Sequence, residues 1–138
     1  MTQSTCYVFD FDSTIAKTSA LHYIINSYEA TVRSRPLPLL SFMRSVQGSI
    51  YILTARPFSQ KGRKSIYEFL LMNGIHVSLE NILMVGRSGI SKCYGMKRIL
   101  EREYYRCSSF YFFDDLMVNI KAIKKCYPFV KTIYVSKK

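Results

Sequence analysis

Five side chains in this chain stand where an apolar run gives out, and a sixth opens a helix. The run "TCYVF" ends in Asp10 and, one residue later, in Asp12, with Ser13 and Thr14 directly behind. The run "IYIL" ends in Thr54, and "SFYFF" ends in the pair Asp114 and Asp115. Lys92 opens the helical pattern that precedes this last pair. Asp strongly disfavours strand interiors, and burying it unpaired is costly. These acids are therefore expected where strands stop and a working loop begins. Separately, each has a plain structural explanation: Asp12 and Thr14 in a turn, the Asp pair as a cap for the helix after it. Brought together, the carboxylates would repel one another unless a hard divalent cation neutralised them. Mg²⁺ takes oxygen ligands and often bridges one or two carboxylates to a phosphate. A hydroxyl and an ammonium suit phosphate oxygens. A carboxylate can attack phosphorus, and a second acid two residues away can donate and recover a proton.

The elements that must position these groups alternate along the chain. Strands are expected at 5–10, 50–54, 81–86, 109–115 and 131–135, from β-branched and aromatic runs bounded by turn residues. Helices are expected at 20–32, 39–46, 59–72, 91–105 and 116–127, from apolar residues at helical spacing. The prolines of "RPLPLL" end the first helix because they lack an N–H donor. Asn73-Gly74 ends the third, with Gly suited to a left-handed cap. Strand–helix alternation predicts an α/β, Rossmann-like open parallel sheet with helices on both faces. In such sheets ligands bind beyond the carboxyl ends of the strands, at a topological switch point. Asp10, Asp12, Thr54, Asp114 and Asp115 all fall at that edge.

In this order, "DFDST" (10–14), "ILTAR" (52–56), "SKCYGMKRIL" (91–100) and "FFDDLMVN" (112–119) resemble the four motifs of the haloacid dehalogenase (HAD) superfamily of phosphohydrolases. The resemblance spans essentially the whole chain and implies roles. Asp10 would be the nucleophile and a magnesium ligand. Asp12 would be the general acid/base, with its backbone carbonyl on the metal. Thr54 would bind the transferred phosphoryl group, helped by the N–H of Ala55. Lys92 would neutralise the phosphate and orient Asp10; Lys97, further along the helix, reads as surface charge. Asp114 and Asp115 would hold magnesium, in an order the sequence does not rank, with Asn119 supporting them. Arg56 would either contact the substrate phosphate or pair on the surface. Thr14 would tie the loop after the first strand, and Ser13 occupies a place where many relatives carry Gly. Neither inter-motif gap has room for the full lid domain of many relatives, so a capless, open site is expected. The set also resembles, more narrowly, the 3'-phosphatase domain of polynucleotide kinases.

The 138 residues are expected to form one domain, 1–138, with an apolar fraction of 49% that supports a real core. No apolar run approaches the ~20 residues of a membrane helix, and the N-terminal stretch lacks the basic leader of a signal peptide. An intracellular protein is expected, with no membrane partner. Its cysteines lack metal-site spacing, and a disulfide or zinc role is not expected. The net charge of +11 favours polyanionic partners. A phosphorylated nucleic-acid end is the first expectation for a large substrate. The competing readings are a phosphoprotein phosphatase of the same fold and a non-catalytic nucleic-acid or protein binding module.

Overall fold

Alternation along the central strands sorts their side chains onto two faces. Cys6 and Val8 go one way with Tyr51, Leu53, Phe110 and Phe112. Phe9 goes the other way with Ile52 and Phe113. Both faces are buried, so these strands read as nearly continuous apolar runs. A computed structural model of the chain describes residues 4–18 and 27–136. Its elements are β1 (Ser4–Phe9), β2 (Ala16–Lys17), α1 (Tyr28–Val32), β3 (Arg35–Pro36), α2 (Leu39–Ser45), β4 (Ser49–Thr54), α3 (Gln60–Met72), a 3-10 turn (Leu79–Asn81), β5 (Ile82–Met84), α4 (Ile90–Glu103), β6 (Cys107–Asp114), α5 (Met117–Cys126) and β7 (Lys131–Tyr134).

Five strands form one parallel sheet in the order β5-β4-β1-β6-β7. The chain runs outward from β1 to β5, then crosses to β6 on the other side of β1. The switch point therefore lies between β1 and β6, the strands that end in Asp10 and Asp114. Helices α4 and α5 supply Met96, Ile99, Ile120 and Ile123 to one core, and α2 and α3 supply Leu40, Met43, Ile66, Phe69 and Leu70 to the other. Stacked aromatic pairs reinforce the β1–β6 register. Phe9 faces Phe113 with ring centroids 4.6 Å apart, and Tyr7 faces Tyr111 at 5.6 Å.

The fold follows the expected elements with local differences. Of the helix expected over 20–32, α1 occupies Tyr28–Val32; Leu21, Ile24 and Ile25 lie outside the described residues. β6 begins at Cys107, earlier than expected, and β5 ends at Met84 because Gly86 turns the chain at φ +86°. α3 is capped by the Ser59 hydroxyl, which accepts from Gly62 N–H at 2.8 Å. It ends in a Schellman motif: Gly74, at φ +79°, donates to Leu71, and Ile75 donates to Leu70. The two-residue ribbon β2–β3, which pairs Lys17 with Arg35, was not expected. A two-residue strand is too short to show a period, and one of the four residues is a proline.

Gly95 sets how closely α4 lies on the sheet. A Cβ there would fall 2.3 Å from Leu53 Cδ1 and 2.9 Å from Val85 Cγ1. The glycine looks like a weakness in a helix by propensity alone, but it lets the helix carrying Lys92 approach β4. Overpacking at such a contact costs about 1–3 kcal/mol, more than the few tenths of a kcal/mol gained on leaving Gly for a β-branched residue in a helix. Gly95→Val is expected to lower the chemical-denaturation midpoint; an unchanged or raised midpoint would refute this account of the helix–sheet contact.

Candidate active site

Lys92 lies in the first turn of α4 with no exposed surface. Its Nζ donates to Asp10 Oδ1 at 2.8 Å, to Asp114 Oδ2 at 3.2 Å and to the Leu53 carbonyl. One ammonium thus joins the ends of β1, β6 and β4. Burial lowers the pKa of this amine, but Asp10 and Asp114 outweigh that and raise it above the usual lysine value. The group stays charged.

Asp10, Asp114 and Asp115 form a buried group whose ligand oxygens all lie within 4.8 Å of one another. The Thr14 hydroxyl bridges two of them, 2.9 Å from Asp10 Oδ2 and 3.2 Å from Asp115 Oδ1. Both oxygens of Asp114 accept protein hydrogen bonds: Oδ1 from the Leu116 N–H, and Oδ2 from Lys92 and the Asn119 amide. Asn119 also accepts from the Gly89 N–H at 2.7 Å, so it ties the start of α4 to β6. Burial, helped by the charges of Asp114 and Asp115 and opposed by Lys92, raises the Asp10 carboxyl to about 8. An all-oxygen, acidic, buried set of this kind fits a hard divalent cation.

Asp12 faces a different partner. Its two oxygens accept from the Arg56 guanidinium at 2.9 and 2.7 Å, a bidentate pair, and Oδ1 also accepts from the Thr18 hydroxyl. Arg56 has no exposed surface, donates to the Thr31 hydroxyl at 2.8 Å and lies over the Phe11 ring. The alternative of a surface ion pair for Arg56 is therefore corrected: the residue is buried, because Asp12, Thr31 and Phe11 enclose it. Ser13, between Asp10 and Thr14, adopts φ +62°, a left-handed conformation uncommon outside Gly, Asn and Asp. That turn directs Asp12 and Thr14 to separate partners.

Of the expected site residues, Asp10, Lys92, Asp114, Asp115 and Asn119 converge in one hydrogen-bonded group. Thr54 and Ala55 are buried at the end of β4, where the Thr54 hydroxyl accepts from the Arg56 N–H at 3.2 Å. Lys97 is exposed on α4. The Leu53 carbonyl, Thr18 and Thr31 had no signal in the sequence. The Thr14 contacts had a partial one, since Thr14 follows Asp10 by four residues in a turn.

Two outcomes follow from this electrostatic arrangement. Folding lifts the Asp10 pKa from 3.8 to about 8, so the folded metal-free chain binds the extra proton across that window. Its stability contribution therefore falls as pH rises through the window, and a bound cation, which needs the deprotonated acid, opposes that fall. Millimolar Mg²⁺ is expected to raise the melting temperature more near pH 8 than near about pH 5; an equal shift at both would contradict the coupling. Arg56→Ala leaves Asp12 unpaired and is expected to cost about 3–5 kcal/mol in urea unfolding, with Arg56→Lys recovering only part because it lacks the planar fork. A loss below about 1 kcal/mol, the worth of an exposed pair, would contradict this.

No protein-family model matches the chain, and no curated protein matches it in sequence. Solved structures do. A chain of the Pnkp1/Rnl/Hen1 RNA repair complex superposes with a TM-score of 0.69 at 15% identity, over 97% of this chain. The match covers 43% of that chain, so the present chain spans less than half of its length. The HAD domain of the effector protein Lem4 from Legionella pneumophila, solved as an inactive mutant, matches with a TM-score of 0.57 at 14% identity, over 98% of this chain and 87% of that one. The five-stranded parallel sheet, its two helical layers and these matches establish that the chain has the HAD-like α/β fold.

Proposed function

We propose that the chain is a magnesium-dependent phosphomonoesterase that works through an aspartyl-phosphate at Asp10. One observation carries this reading: Asp10, Asp114 and Asp115 gather in one buried group at the sheet's switch point, and the Lys92 ammonium pairs with Asp10 and Asp114. Asp10, Asp114 and Asp115 would hold the ion, with the Asp12 carbonyl. When bound, magnesium supplies charge neutralisation for the phosphoryl oxygens.

Asp10 attacks phosphorus through a carboxylate oxygen, and the bond from phosphorus to the ester oxygen breaks. The leaving oxygen takes the proton of the Asp12 carboxyl. Asp12 then removes a proton from water, whose oxygen attacks phosphorus, releasing inorganic phosphate and restoring Asp10. The Thr54 hydroxyl and the Ala55 N–H hold the transferred group. Lys92 balances its charge and keeps Asp10 aimed along the line of attack. Arg56 stands behind Asp12. Because both Asp12 oxygens accept from Arg56, Asp12 must leave that pair and take up a proton from water before it can protonate the leaving oxygen.

For the substrate, the favoured class is a terminal phosphate on a nucleic-acid strand. The support is the net charge of +11 and the likeness to a component of an RNA repair complex.

Phosphate release is to be measured from 3'- and 5'-phosphorylated oligonucleotides, a phosphoserine peptide and an aryl phosphate, with and without magnesium. Magnesium-dependent release with preference for one oligonucleotide end is expected. Asp10→Asn should lower turnover by roughly 10³-fold or more while circular dichroism is unchanged. Asp12→Asn should lower it by about 10²–10⁴-fold. Residual turnover in a clean Asp10→Asn preparation would overturn the covalent mechanism; salt-sensitive oligonucleotide binding without any release would mark a binding module instead.

A further inference from the structure

The ribbon β2–β3 places Lys17 directly opposite Arg35. Like charges facing each other across a strand pair are destabilising. Neither side chain has a hydrogen bond or ion pair among the described residues. Both are exposed, and both line one cleft of about 380 Å³.

That cleft adjoins the acidic site. Ser13 and Thr14 form part of its wall, and Thr14 is the residue that bridges Asp10 and Asp115. Leu37 and Val135 are among its apolar walls, and no acidic side chain among the described residues lines it. The arrangement is two cations without a side-chain partner among the described residues, beside an apolar surface, with Thr14 lining the same cleft and touching Asp10 and Asp115. A free-standing surface charge would gain nothing from being placed opposite its like. A shared anion turns that repulsion into two attractions.

We infer that Lys17 and Arg35 form a clasp for a second phosphate of the substrate: the phosphodiester next to the terminal phosphate of a nucleic-acid strand. The inference rests on the phosphatase reading above and specifies how that site selects its substrate. A strand entering the site brings several negative charges toward three carboxylates. The terminal phosphate meets Lys92 and the bound cation; its neighbour needs its own counter-charge, which the ribbon supplies. The apolar walls suit the sugar and base between the two phosphates. The clasp sets binding and leaves the chemical step to the residues around Asp10.

Lys17→Gln, Arg35→Gln and the double variant test this with a phosphorylated dinucleotide, the matching nucleoside monophosphate and an aryl phosphate. The double variant is expected to lose roughly tenfold in kcat/KM on the dinucleotide, through KM. Turnover of the other two substrates, which lack a second phosphate, should be unchanged, and this also reports an intact fold. In the Asp10→Asn chain, binding of a fluorescent phosphorylated oligonucleotide should lose about 0.7 of its salt slope for each clasp residue removed. No loss on the dinucleotide, or an equal loss on all three substrates, would overturn the clasp. A loss confined to an acid-flanked phosphoserine peptide would overturn the nucleic-acid assignment. If no substrate is turned over, the phosphatase reading fails, and the salt slope alone decides whether the clasp binds phosphate.

Discussion

A single buried ammonium sets the terms for the rest of this structure. Lys92 touches the ends of β1, β4 and β6 at once, through Asp10, Leu53 and Asp114. Two carboxylates about 4 Å apart repel by roughly 4 kcal/mol at an effective dielectric near 20, and three are gathered here. With all three ionised, one ammonium leaves the cluster two charges short of neutrality. That deficit matches one divalent cation; burial first, then the charges of Asp114 and Asp115, raise the Asp10 carboxyl. The neighbouring structure serves to keep the ammonium in place. Gly95 brings α4 onto the sheet, Asn119 ties α4 to the start of α5, and the stacked Phe9–Phe113 pair locks the two acidic strand ends side by side.

The site contains two separate charge systems. One is the Lys92 group, built from buried strand ends. The other is the Asp12–Arg56 pair, built from the loops after β1 and β4 and closed by Thr31 on α1. The left-handed Ser13 divides them. Two acids so close in sequence thus sit in different surroundings: Asp10 beside an ammonium and two further carboxylates, Asp12 against a guanidinium.

How much of this was legible in the sequence depended on the range of the interaction. Asp10, Thr54, Asp114 and Lys92 were readable because each is a polar residue that ends an apolar run or opens a helical one. Strand alternation then put them on one edge without any contact being known. The partner of Arg56 was not readable. It depends on Thr31, from a helix of five residues, and on Asp12, 44 positions away, and neither carries a periodic signal. The β2–β3 ribbon was hidden for a similar reason, since two-residue strands have no pattern and Pro36 argues against one. By propensity alone Gly95 is a local helix defect, because the contact that justifies it, Leu53 under α4, is tertiary. Local chemistry was visible in the chain; the pairings that enforce it came from packing.

The distribution of sulfur has its own consequence. Cys6 and Cys107 on the sheet and Cys93 on α4 are free thiols buried in the core between the sheet and the α4–α5 layer, while Cys126 at the end of α5 is exposed. Burial pushes the Cys93 thiol up to about 12, and Cys6 and Cys107 are raised as well, which suppresses their thiolates. A thiol reagent would meet one sulfur at once and the other three only when the helical layer lifts from the sheet. The chain carries an internal gauge of opening, placed on the side of the molecule that holds Lys92 over its strand ends.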